Sequence, residues 1–132
     1  MKLTNTRNMK RKSGMTLLEL TVVILVLLSL ISILFIGARA WKKGSDRAGC
    51  ILNIRNVQQA VRGHANMREL AIGATITDAD IFGTSGYLKD PACPALGTYT
   101  KAGAVPAIGT LYITCTKAPD PDLHVPAAYT DW

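Results

Sequence analysis

From Leu17 to Ile36 the chain is apolar at every position except Glu19, Thr21, Ser29 and Ser32. Twenty helical residues rise about 30 Å, the thickness of a bilayer's hydrocarbon core. The 48% apolar content is therefore unevenly placed, and the remainder has an ordinary soluble composition rich in Gly, Ala, Thr and Pro. One long apolar element with a small separate head suits this pattern better than a uniform globule. At 132 residues there is room for one small domain and not two.

The formal charge of +6 invites a nucleic-acid reading until its distribution is followed. Lys2, Arg7, Lys10, Arg11 and Lys12 all precede Ser13, and all nine acids come later. Cutting the chain after Gly14 leaves ten basic side chains against nine acidic ones, a net of +1. The remaining charge is lopsided. Seven basic residues lie between Arg39 and Glu69, against Asp46 and Glu69; from Leu70 onward three lysines face six aspartates. A solvated helix face with ordinary loop aspartates explains this. Attraction between the stem of one subunit and the head of the next is the sharper alternative, and salt would screen it.

Basic residues before an apolar span place that end in the cytoplasm, although Arg39, Lys42 and Lys43 follow the span as well. A secretory signal has a shorter apolar core followed by a small-residue cleavage site. Here the small residues, Ser13-Gly14, precede the span. Cleavage there removes the charged leader and leaves the hydrophobic helix attached.

Lys12-Ser13-Gly14 followed by Met15-Thr16-Leu17-Leu18-Glu19-Leu20 resembles the leader and methylation site of type IV prepilins and pseudopilins. The resemblance covers residues 10 to about 37. It implies that a prepilin peptidase, which is also the methyltransferase, cuts between Gly14 and Met15 and N-methylates Met15. The family commonly has phenylalanine where this chain has Met15. The implied fold is α+β and pilin-like, with one long N-terminal helix and a small antiparallel β-sheet head. The implied divisions are a leader over 1–14, a membrane and filament-core helix over 15–38, an amphipathic continuation over 39–69 and a disulfide-containing head over 70–132.

Glu19 is the informative residue in the span. A carboxylate at the centre of a membrane helix costs roughly 2.5–3.5 kcal/mol on insertion scales, and less near the interface. Cleavage after Gly14 would create a cationic amine four residues away on the same helical face. The resemblance implies that Glu19 recruits a subunit by pairing with the N-terminal amine of a neighbour in the filament. Pairing within its own helix and snorkelling to the headgroups are the alternatives.

Beyond the span, Cys50, Ile54, Val57, Val61 and Ala65 recur at helical spacing, with Arg47, Arg55, Arg62 and Arg68 mainly elsewhere around the helix. A single helix from about Thr16 to Glu69 would be about 80 Å long. Its apolar stripe needs a cover, which only the C-terminal half can provide. Gly37, Gly44, Gly49 and Gly63 each weaken the helix by about 1 kcal/mol relative to alanine, or else mark tight packing. Many pilins have a proline near the position of Ile36; this chain lacks it, and Gly37 is the candidate weak point.

After Glu69, Thr77-Asp78-Ala79-Asp80 reads as a helix N-cap with acids in the first turn. Residues 97–101 and 110–117 have strand-like composition, separated by Gly103, Pro106 and Gly109. The stretch from Gly86 to Pro94, with Gly97-Thr98-Tyr99-Thr100, also resembles the head of some bacterial pilins. Cys93 and Cys115 both fall in this region and are the expected disulfide, worth about 3 kcal/mol in the chain-entropy model for a loop of this length. Cys50 reads as a buried small hydrophobe on the helix, with Cys50–Cys93 as the other pairing.

No catalytic set emerges. His64 and His124 are far apart, and there is neither a Cys-x-x-Cys nor a phosphate-binding glycine loop. Asp120-Pro121-Asp122 with His124 offers too few carboxylates for a calcium site and reads as a solvated tail. No cofactor, metal or enzymatic activity is expected.

The expected function is that of a structural subunit polymerised through its N-terminal helix. The alternatives are a type II secretion pseudopilin and a minor pilin that binds DNA or a surface. Expected partners are identical or related pilin subunits, the processing enzyme, inner-membrane lipid and an assembly platform; nucleic acid is left open. The precursor would be a single-pass inner-membrane protein with its head in the periplasm, and the product a filament in the periplasm or at the cell surface.

Overall fold

The computed structural model describes residues 14, 16–119 and 122–132. Its elements in chain order are α1 (Leu17–Met67), α2 (Asp78–Ile81), β1 (Tyr99–Lys101) and β2 (Ile113–Cys115). This is an α+β layout with one long N-terminal helix and a small antiparallel sheet. The chain divides into two compact units between Ala38 and Arg39. Residues 1–13 of the expected leader and Met15 lie outside the described residues.

In the first unit, the residues from Leu17 to Ala38 are all exposed and all helical. The hydroxyls in the apolar run bond to their own helix. Thr21 Oγ1 donates to the Leu18 carbonyl, Ser29 Oγ to that of Val26 and Ser32 Oγ to that of Leu28. Those polar groups therefore need no water, which suits a helix bathed in hydrocarbon. By length and composition this helix can cross a membrane.

The second unit is built on one face of α1. Cys50, Ile54, Val57, Val61 and Ala65 are all buried, as the helical spacing predicts. They pack with Ile76, Ile81, Phe82, Cys93, Val105, Tyr112, Ile113 and Cys115 in a single core. Burying side chains the size of Ile54, Val57 and Val61 stabilises by about 1.5–3 kcal/mol each. The helix ends at Met67, two residues before the expected Glu69, and Arg68 N–H still donates to the His64 carbonyl.

Two polar side chains of α1 hold the head to the helix. Gln58 is 3% exposed; its Nε2 donates to the Thr110 carbonyl at 2.9 Å, and its Oε1 accepts from Tyr112 N–H at 2.9 Å. Gln58 thus takes the place of a neighbouring strand at residues 110–112. Arg62 donates to the carbonyl oxygens of Pro106 and Ala107 and to a main-chain oxygen of Trp132, at 2.7, 3.0 and 2.9 Å.

The sheet pairs Tyr99 with Cys115, Thr100 with Thr114 and Lys101 with Ile113. Both strands are shorter than their composition suggests. Gln58 binds the backbone before β2, and the loop between the strands has positive φ at Gly103 and Gly109 (71° and 82°). Residues 73–76 add further pairing along that loop, with Gly73 N–H donating to the Val105 carbonyl and Val105 N–H to that of Ala74. The expected cap before α2 is present: Asp80 Oδ2 accepts from Thr77 N–H at 2.9 Å and Thr77 Oγ1 at 2.6 Å. Lys101 joins three segments. Its ammonium lies 3.1 Å from both Asp78 and Asp90 and 4.2 Å from the centre of the Phe82 ring. Burial lowers its pKa, but the two carboxylates outweigh burial and the net shift is upward.

Candidate functional site

Two groups of residues carry chemistry, one in each unit. In the first, Gly14 is exposed and Glu19 occupies the opening turn of α1. Glu19 Oε2 accepts from Thr16 N–H at 2.8 Å and from Thr16 Oγ1 at 3.1 Å, while Glu19 N–H donates to Thr16 Oγ1 at 3.2 Å. Thr16-Leu17-Leu18-Glu19 is thus a reciprocal capping box, which closes N–H groups left open at a helix start. The three-residue spacing of Thr16 and Glu19 carries this signal in the sequence, where the charge on Glu19 masks it. Of the expected processing junction, Gly14 is described and Met15 is not.

The second group lies in the head. Cys50 comes from the middle of α1, Cys93 from the loop before β1, Cys115 from the end of β2 and His124 from the C-terminal segment. All four are buried, at 0, 6, 4 and 3% exposure. Their donor atoms lie within 4.8 Å of one another. Cys93 Sγ is 3.7 Å from Cys115 Sγ and 3.6 Å from His124 Nδ1. The expected disulfide partners are therefore adjacent, and Cys50 sits with them.

Neighbours direct hydrogens at these sulfurs. Tyr99 Oη donates to Cys50 Sγ at 3.2 Å and is held in turn by Asn53 Nδ2, also at 3.2 Å. Lys117 N–H donates to Cys115 Sγ at 3.4 Å. Burial pushes the Cys50 thiol up to about 12, against the opposing effect of Tyr99, and raises Cys115 as well. Burial acts most strongly on Cys93 and raises it, but hydrogen bonding from the Gly97 and Ala95 main chain and from the Cys115 and Cys50 side chains together brings that thiol down. Gly97 is packed so closely here that a Cβ on it would lie 2.9 Å from Cys115 Sγ and 3.2 Å from Cys93 Sγ.

The residues expected to form a solvated tail behave differently. Asp122 pairs with Lys117 at 3.6 Å, His124 points among the thiols, and Asp120 and Pro121 lie outside the described residues. His124 also borders a cleft of about 220 Å³ lined by Lys43, Asp46, Arg47, Ala95 and Asp122. Sequence spacing gave no sign of this cluster, because its four members are 43, 22 and 9 positions apart. The available clue was an odd cysteine falling on a buried helix stripe.

No protein-family model, no curated protein and no solved structure matches the chain.

Proposed function

We propose that the chain is a type IV pilin-like structural subunit, cleaved between Gly14 and Met15 and polymerised through its N-terminal helix. The observation that carries this reading is Glu19 set five residues after Gly14, at the head of an apolar helix long enough to cross a bilayer. In this reading the precursor waits in the inner membrane with its head in the periplasm, and the first part of α1 passes from lipid into the filament core. The transfer suits a helix whose internal hydroxyls already bond to their own backbone. A small head joined to such a helix is the matching architecture.

Glu19 has two roles to separate. As a cap it needs only an acceptor for Thr16; as the partner of a neighbour's terminal amine it needs a negative charge. Glu19→Gln keeps a capping acceptor and removes the charge, while Glu19→Ala removes both. Both variants should be processed and stay in the membrane, and both should give few or no filaments, as read by immunoblotting of sheared surface fractions. Filaments from Glu19→Gln at the wild-type level would reduce Glu19 to a helix cap.

A further inference from the structure

Among the described residues, Cys50, Cys93, Cys115 and His124 form a buried cluster of metal-ligating side chains. We propose that these four residues bind one zinc ion, a structural site that ties α1, the Cys93 loop, β2 and the C-terminal segment together. The inference does not depend on the pilin reading.

Geometry is the first argument. With Zn–S of about 2.3 Å and tetrahedral angles, two ligating sulfurs stand about 3.8 Å apart; with Zn–N of about 2.0–2.1 Å, sulfur and nitrogen stand about 3.6 Å apart. The observed Cys93–Cys115 and Cys93–His124 separations are 3.7 and 3.6 Å. No pair in the set exceeds 4.8 Å, so completing the tetrahedron needs shifts on the order of 1 Å, within reach of small side-chain rotations.

The donor set is the second. Three thiolates and one imidazole are a recurrent structural zinc shell, and with all four positions filled by protein no place is left for a reacting water. Softer donors of this kind disfavour calcium and magnesium. A Cys93–Cys115 disulfide would use only two of the four groups, leaving the Cys50 thiol and the His124 imidazole buried beside it. On zinc binding each thiol gives up its proton, and the released protons pass to solvent.

The surroundings are the third. Metal-bound thiolates are oriented by hydrogen-bond donors in the next layer. Here the Tyr99 hydroxyl addresses Cys50 and the Lys117 N–H addresses Cys115. Asn53 fixes the Tyr99 hydroxyl. Glycine at 97 is what lets this backbone come so near two sulfurs, since any Cβ there would press on both.

The test uses the full chain in detergent, purified without chelator or reductant. Mass spectrometry for metals should find one zinc per chain, with the intact mass showing no hydrogens lost to a disulfide. Three thiols should react with a thiol reagent only after a strong chelator is added. Replacing zinc with Co(II) should give the intense visible bands of a tetrahedral ion together with thiolate-to-cobalt charge transfer. His124→Ala should weaken Co(II) binding by more than the roughly 10–100-fold that loss of a supporting partner costs. His124→Cys restores four donors and should bind with stronger charge-transfer absorption, which separates loss of a ligand from failure to fold. Failure of the reduced wild-type chain to give tetrahedral cobalt bands would overturn the proposal. So would isolation of a metal-free chain with Cys93 covalently joined to Cys115.

Discussion

Gln58 shows how much one side chain decides in a head this small. Its amide completes the main-chain hydrogen bonding of Thr110 and Tyr112, whose other groups bond to Ala107 and Ala102. Gln58→Leu preserves the bulk but leaves the Tyr112 N–H buried and unpaired. The expected loss is about 1–3 kcal/mol, read as a lowered denaturant midpoint in near-ultraviolet circular dichroism of the detergent-solubilised chain. An unchanged midpoint would mean that the two bonds are replaced by water. Hydrophobic periodicity is blind to such a residue, because a glutamine beside Val57 looks like the polar flank of the stripe. The same blindness hid His124 and Tyr99, whose roles come from what folds against them.

At the scale of elements, α1 was the most legible part of the chain. All five apolar residues picked out by spacing are buried, and the helix ends within two residues of its expected limit. The Thr77–Asp80 cap before α2 could be read directly, since both partners lie within one turn. Strand bounds could not, because backbone pairing there depends on a glutamine about fifty positions away. The helix glycines also divide. At Gly49 a Cβ would meet Pro94 Cγ at 3.1 Å, so this glycine serves packing; at Gly63 a Cβ would meet nothing within 4 Å. Gly63→Ala should therefore stabilise the head by up to about 1 kcal/mol, seen as a higher thermal midpoint. A lower midpoint would show that the Gly63 face of the helix contacts something this chain does not supply.

On the scale of the whole molecule, the uneven apolar pattern of the sequence corresponds to two compact units. Residues 17–38 are helical with no buried side chain, and among the described residues the core lies within the second unit, shared by α1 and the head. Five of the fifteen basic residues precede Ser13, so under the proposed cleavage most of the net charge leaves with them. The thiol cluster was the least legible feature. Four segments must fold before its members meet, and its spacing matches no short metal-binding pattern. Cys93 and Cys115, the pair expected to form a disulfide, lie 3.7 Å apart at their sulfurs, and Cys50 and His124 lie beside them.

The central claim is that this helix is an anchor exposed by proteolysis and then used for assembly. Its most direct test is the N-terminal mass of the protein recovered from a sheared surface fraction. The account predicts a chain beginning at Met15 and carrying one added methyl group. Material that still retains residues 1–14, found only in the membrane and never in an oligomer, would contradict it.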